Sequence, residues 1–196
     1  MEREEQRDRR DRMILQRRAT VDDLAKFHGK SELINGKVVE FMPTRRRPGR
    51  VALEIAVHLR DYARQAGHGE AHGDNVGYVV PELSSGRESF SPDASYYDGP
   101  RQADDMKFID GPPTFAVEVR SEGDYGPSAE AEMAAKRADY FEAGTQVVWD
   151  VDPIAERVHV YRAAAPDRPE SYSRGQEVEA EPFVTGWRIA VDWIFV

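Results

Sequence analysis

Two acids and two bases in this chain have the types and spacing of a hydrolytic site. Glu118 and Arg120 stand two apart in Phe115-Ala116-Val117-Glu118-Val119-Arg120, and Asp93 follows a proline upstream in Ser91-Pro92-Asp93-Ala94. Residues two apart on a strand share a face, about 6.6 Å apart along the chain. An acid and a guanidinium are therefore aimed together out of an otherwise apolar element. Lys136 lies between Met133 and Tyr140, three before and four after it, on the apolar side of a helical pattern. Hard carboxylate oxygens suit Mg²⁺ or Mn²⁺, which bind through one or two carboxylates plus a phosphate. Such an ion polarises a phosphodiester and orients water, and a neighbouring cation neutralises charge on a phosphorane-like transition state. Each residue also has a plainer reading. Glu118 and Arg120 make a weak pair on a wetted strand face, Pro-Asp is a common turn dipeptide, and a lysine beside apolar residues can snorkel outward.

The elements that would position these groups follow from periodicity. Phe115, Val117 and Val119 alternate with Ala116, Glu118 and Arg120, which predicts a strand with two different faces. Phe90 to Tyr97 and Gly77 to Val80 read as short β segments, and Pro92 confines its point to a strand start, edge or bulge. If the Asp93 and Glu118 segments are neighbours, both carboxylates meet at one end of a sheet. A helix is predicted from a Ser128 cap to Ala143, stopped by Gly144. The near-continuous apolar run Val147 to Val151 reads as a central strand, and Val158 to Tyr161 as an alternating one. The Pro-, Ala- and charge-rich stretch from Ala163 to Gln176 reads as irregular, and Trp193-Ile194-Phe195-Val196 as packing on the core.

Nearer the start, a helix is predicted from Thr20, with Asp23 forming a short capping box, to Gly29. Asn35-Gly36 between two β-like runs predicts a two-residue hairpin that pairs Ile34 with Lys37 and Glu32 with Val39. Glu32 then shares a face with Ile34, Val39 and Phe41. An acid among aliphatics requires a partner, a metal or the sheet edge, so edge exposure and a site role both stay open. Arg45-Arg46-Arg47-Pro48-Gly49-Arg50 reads as a basic loop, either solvated or touching phosphates. It leads into a helix from Val51 to Ala66 with Val51, Ile55, Leu59 and Tyr62 inward.

Composition bounds the rest. The chain has 196 residues, 40% of them hydrophobic, 10% aromatic and 32% charged. That is enough for one globular domain with a full core. A net charge of -9 argues against a broad basic face that grips nucleic acid unaided. It leaves a nuclease open, because a carboxylate site that loads a divalent metal is itself acidic. Without cysteine there are no disulfides or thiolate zinc sites. No apolar run reaches the length of a membrane span or a signal peptide, so a soluble, cytoplasmic protein with no membrane partner is expected. Residues 1–18 mix seven arginines with five acids and read as a charged tail, with residues 19–196 as a single domain.

Taken in order, these segments resemble the Uma-type restriction endonuclease branch of the PD-(D/E)XK nuclease superfamily. The resemblance runs through Glu32-Leu33-Ile34-Asn35-Gly36, Ser91-Pro92-Asp93-Ala94 and Pro113-Thr114-Phe115-Ala116-Val117-Glu118-Val119-Arg120-Ser121. It continues in Lys136-Arg137-Ala138-Asp139-Tyr140-Phe141-Glu142-Ala143-Gly144, Trp149-Asp150-Val151-Asp152-Pro153, Val158-His159-Val160-Tyr161-Arg162 and Gly186-Trp187-Arg188-Ile189. It implies an α/β, restriction-endonuclease-like domain, a mixed four- or five-stranded sheet flanked by helices with an N-terminal β-hairpin. It also implies a metal site at Asp93 and Glu118, with Glu32 as a further acid nearby. The superfamily's lysine, two after the second acid, is Arg120 here, and Lys136 on the following helix would stand in for it. Arginine stays protonated, so it can bind phosphate but not act as a base.

The expectation is a metal-dependent endonuclease cutting DNA, with RNA left open as a substrate. Asp93 and Glu118 would hold Mg²⁺ or Mn²⁺, and Arg120 and Lys136 would bind the scissile phosphate or position water. A homodimer fits, since many nucleases cut both strands as dimers. Two alternatives stand beside it: a binding module that keeps the fold without the chemistry, and a hydrolase of a small phosphorylated substrate.

Overall fold

The computed structural model describes residues 17–196. Most of the predicted charged tail, residues 1–16, lies outside the described residues. Its last two residues are tied down, Arg17 to Asp23 at 2.6 Å and Arg18 to Glu82 at 2.6 Å.

The described residues open with a short helix α1 (Val21–Leu24) and the hairpin β1 (Ser31–Ile34) and β2 (Lys37–Glu40). The hairpin has the register that Asn35-Gly36 dictates, with Ile34 opposite Lys37 and Glu32 opposite Val39. Both turn residues have positive φ, 52° and 64°, as a type I′ turn requires. At Gly36 a Cβ would also strike the Arg18 side chain. α1 stops at Leu24, well short of the predicted Gly29. Asp23 caps it by accepting from both the Thr20 backbone N–H and hydroxyl.

The long helix α2 (Arg46–Ala66) starts five residues before the predicted Val51. Of the arginines expected in a loop, Arg46, Arg47 and Arg50 lie in its first turns and Arg45 is its extended N-cap residue. Pro48 does not prevent this, because an N–H in the first turn has no intrahelical acceptor to lose. After α2 come β3 (Glu70–His72), β4 (Tyr78–Val79), β5 (Ser89–Phe90), β6 (Ala94–Tyr97), β7 (Ile109–Asp110) and β8 (Phe115–Val119). The predicted Phe90–Tyr97 strand is thus broken at Ser91-Pro92-Asp93. Then follow α3 (Pro127–Ala143), β9 (Val147–Asp152), β10 (Arg157–Arg162), β11 (Ala165–Ser173), β12 (Glu177–Glu179), β13 (Arg188–Ala190) and α4 (Val191–Ile194). Gly126, not Ser128, is the residue that precedes α3.

The main sheet is six-stranded rather than four- or five-stranded, in the order β11-β10-β9-β8-β6-β3. β8 and β9 are parallel, joined by the α3 crossover, and the other pairs are antiparallel. The additional strand β11 occupies the stretch predicted to be irregular. It is an exposed edge with a register shift between Val160 and Arg162, the setting in which a sheet tolerates prolines such as Pro166 and Pro169. β8 and β9 are central, and all of Phe115, Val117, Val147, Trp149 and Val151 are fully buried.

Each face of the sheet carries its own core. α2 packs Val51, Ile55 and Leu59 against Val117, Trp149 and Trp187 on one face. On the other, Tyr140 of α3 packs with Ala116, Val148 and Phe90, and its ring stacks on Phe90 at 4.2 Å. At the C-terminus Ile194 and Phe195 join the core as expected, but Trp193 and Val196 are exposed. Among the described residues, no helix is long and apolar enough to cross a membrane.

Candidate active site

The α3 face of the sheet is where the charged groups gather. β6 and β8 run antiparallel with Ala94 opposite Val117, so the residue before β6 lies beside the end of β8. Asp93 uses that position. Its backbone N–H bonds the Val117 carbonyl at 3.0 Å, and its Oδ2 accepts the Val119 N–H at 2.7 Å. Backbone bonds on both its main chain and its carboxylate fix this side chain beside Glu118. On β8 the period of two turns Ala116 and Glu118 toward α3, while Phe115, Val117 and Val119 enter the α2 core.

Lys136 does not snorkel to solvent. Its Nζ sits 2.8 Å from Glu118 Oε1 and 3.1 Å from Glu32 Oε1. Glu118 Oε1 also accepts the Tyr140 hydroxyl at 2.6 Å. Glu32 is fully buried, not edge-exposed, and accepts the Ser91 N–H at 3.0 Å and an Arg87 guanidinium N–H. Arg87 in turn reaches Asp139 at 2.8 Å. On the other side of Asp93, Lys30 Nζ lies 2.5 Å from Asp93 Oδ1 and 2.8 Å from Asp74 Oδ1. The hairpin delivers Lys30 and Glu32 together, since Lys30 immediately precedes β1 and lies two residues before Glu32.

Arg120 parts from this group. Its guanidinium grips Asp150 through two bonds of 2.7 and 2.8 Å and also bonds Glu130 on α3. Asp150, 1% exposed, faces Glu118 across the parallel β8–β9 register and takes a further bond from Arg137 at 3.3 Å. Of the residues singled out in the sequence, Asp93, Glu118, Lys136 and Glu32 stand together, and Arg120 is directed elsewhere. Lys30, Asp74 and Arg87 were not anticipated. Only Lys30 left a signal, its spacing of two from Glu32.

The electrostatics follow from burial and neighbours. Burial pushes the Glu118 carboxyl above its ordinary value; Lys136 opposes that and the Asp93 charge adds to it. Glu32 moves the other way: burial alone would raise it, but Lys136 and Arg87 outweigh burial and hold it ionised. Burial likewise acts to lower Lys136 and Lys30, and the carboxylates around each prevail, so both stay ammonium ions. Tyr140, buried and beside Glu118, stays protonated as a donor.

Ordered in space, the charges read Asp139, Arg87, Glu32, Lys136, Glu118, Asp93, Lys30, Asp74. The signs alternate except at one junction, where Glu118 meets Asp93. Five carboxylates against three cations give the whole row a formal excess of two negative charges, and this junction is where two acids adjoin with no cation between them. That donor set fits a divalent ion with hard oxygen ligands. Among the described residues no three acids or histidines stand close enough to enclose an ion alone, so water and substrate oxygens would complete its shell, as is usual for Mg²⁺.

This chain belongs to the family described as "Uma2: Putative restriction endonuclease", whose profile matches residues 5–192. Among solved structures it is similar to the crystal structure of "a putative nuclease belonging to DUF820" from Anabaena variabilis. That match has a TM-score of 0.68 at 20% identity and covers 90% of this chain and 97% of the other. At that identity the likeness establishes the fold. A search of curated proteins finds no match.

Proposed function

We propose that the chain is a metal-dependent endonuclease that hydrolyses phosphodiester bonds of DNA, with Mg²⁺ or Mn²⁺ held by Asp93 and Glu118. The supporting observation is the single break in charge alternation between those two acids. When bound, a divalent ion supplies a Lewis acid that polarises the phosphodiester and lowers the pKa of an attacking water.

The remaining roles belong to the chain's own residues. Both of Glu118's bonds, from Lys136 and Tyr140, fall on Oε1, which leaves Oε2 to a cation. Lys136 donates to the phosphate oxygens as charge develops on them. As a group held protonated it binds and neutralises rather than abstracts a proton. Glu32 positions Lys136 from behind, and Arg87 in turn holds Glu32. Arg120 acts as a positioning residue, fixing the end of β8 to β9 and α3 through Asp150 and Glu130.

A second reading has its own observation. Lys30 already occupies Asp93 and Lys136 already occupies Glu118, so the two ammonium groups would replace a metal permanently and leave a binding module of nuclease fold. Purified protein incubated with DNA and Mg²⁺ or Mn²⁺ separates the two, alongside Glu118→Ala. Cleavage by the native chain and none by the variant is expected. Calorimetry should show saturable Mn²⁺ binding that Asp93→Ala abolishes. Intact DNA and RNA with every metal, together with no metal binding, refutes the enzyme in favour of the module.

A further inference from the structure

The link between the hairpin and α2, together with the first turns of α2 (residues 41–50), borders the charged group on two sides. At one end Phe41 pairs with Lys30, its N–H bonding the Lys30 carbonyl at 2.9 Å, and its ring lies 5.8 Å from Lys136 Nζ. In the middle the Thr44 hydroxyl bonds Asp74, the acid that holds Lys30, at 3.2 Å. Next to it Arg45 meets Glu122, just beyond the end of β8, in a pair with both side chains 71% exposed. An ion pair so open to water is weak and readily exchanged. Arg46 and Arg50 are exposed, have no carboxylate partner among the described residues, and lie four apart on one side of α2.

Apolar groups on this link are left in water. Phe41, whose ring lies near the Lys136 ammonium, is 40% exposed, and Met42 next to it in the chain is 86% exposed. Large apolar side chains exposed at the rim of a charged site gain free energy only when a flat or apolar partner covers them. A chain of net charge -9 concentrates four arginines within six residues here, which makes the complementary partner anionic. Aromatic surface flanked by arginine is the combination that binds unpaired bases along a phosphate backbone.

We propose that residues 41–50 are a strap for single-stranded nucleic acid. A base next to the scissile phosphate stacks on Phe41 and Met42, and Arg45 and Arg46 take the flanking phosphates. This rests on the assignment of phosphodiester chemistry to Asp93 and Glu118, and it specifies the form of the substrate. In a duplex, neighbouring pairs cover both faces of every interior base, so the platform has nothing to stack on. The short basic run neutralises a few phosphates, where duplex grip without base contacts needs many.

Fluorescence anisotropy of the full chain in EDTA tests this, with labelled oligodeoxythymidylate and a blunt duplex of the same length as probes. The single strand should bind about tenfold more tightly than the duplex, and Phe41→Ala should lose about tenfold on the single strand only. Phe41→Trp should keep the affinity, and Arg46→Ala should reduce the slope of log affinity against log salt by about 0.7. Because Phe41 is half-exposed, the alanine variant should keep the native circular dichroism and melting. Equal binding of duplex and single strand, or an unchanged Phe41→Ala, overturns the proposal. So does light scattering that shows a dimer dissociated by Phe41→Ala, which would mean a second copy covers the patch. Loss of cleavage with the single-strand preference intact refutes only the hydrolysis; cleavage of duplex without that preference refutes only the strap.

Discussion

Lys30→Met should tighten the binding of divalent metal. The Lys30 ammonium sits 2.5 Å from Asp93 Oδ1, on one of the two carboxylates proposed to hold the metal. Two unit charges near a protein surface attract by about 4 kcal/mol at roughly 4 Å when the effective dielectric is about 20. Binding metal at Asp93 forfeits that attraction and sets the ammonium against a dication. Lys30 keeps its second partner, Asp74 at 2.8 Å, which recovers part of the loss. If about half is recovered, the ammonium costs metal binding about 2 kcal/mol, so its removal should lower the Mn²⁺ dissociation constant roughly thirtyfold. Asp74→Asn should act in the opposite direction, because Lys30 then has Asp93 alone and holds it harder. Isothermal titration with Mn²⁺ reads both. A thermal melt supplies an independent check: Lys30→Met should melt lower in EDTA, where Asp93 faces Glu118 with only Lys136 to offset the two charges, and gain more from added Mg²⁺ than the native chain does. Metal affinity that is unchanged or weaker in Lys30→Met, with no altered response of melting to Mg²⁺, refutes the competition.

Arg120→Leu tests whether that guanidinium is scaffold or chemistry. It would leave Asp150, 1% exposed, with only the 3.3 Å contact to Arg137, at a cost of about 3 kcal/mol. For a chain of this length that lowers the melting temperature by roughly 6–12 °C, with Mn²⁺ affinity by titration unaltered; unchanged melting would sink the clamp. The pH dependence of stability should carry the signature of Glu32. Its folded pKa lies below the ordinary 4.5 because Lys136 and Arg87 outweigh burial. Its contribution is therefore complete above about pH 4.5 and lost as pH falls through the lowered value. Melting followed from pH 6 downward should fall less steeply in Glu32→Gln than in the native chain, and parallel curves would show that Glu32 is not held ionised.

Local rules were enough to read much of this fold. Asn35-Gly36 dictated the hairpin register, and the alternation from Phe115 to Val119 marked a strand whose two faces meet two different helices. What escaped was decided by context. The edge strand β11 carries prolines and charges that argue against a central strand, and it forms because β10 offers an unpaired edge and a register shift absorbs the irregularity. The first turns of α2 were read as a basic loop, although Pro48 lies in the first turn, where a helix accepts proline. Within the site, Asp93, Glu118 and Lys136 carried signals on their own elements. Asp74 lies in a loop and Arg87 in an isolated bridge to Ile34, where no periodicity says which way a side chain points, and only the packed hairpin brings Glu32 to Arg87.

The exchange of lysine for arginine two residues after Glu118 takes on physical sense in this arrangement. Parallel pairing puts Asp150 opposite Glu118, so a side chain at position 120 meets a buried carboxylate on the neighbouring strand. A planar guanidinium satisfies both oxygens of that carboxylate and still reaches Glu130, which a lysine's single ammonium could not do. The clamp ties β8, β9 and α3 together directly beside the two acids. Cations for those acids must then come from outside the sheet, and they do: Lys136 from α3 and Lys30 from the hairpin. The sheet fixes where negative charge accumulates, whereas the docking of two other elements decides how much of it is neutralised. A shift of the hairpin would withdraw Lys30 and Glu32 together, freeing Asp93 while loosening Lys136. In such a site the affinity for a divalent ion is a property of how the hairpin packs as much as of the two carboxylates that would hold it.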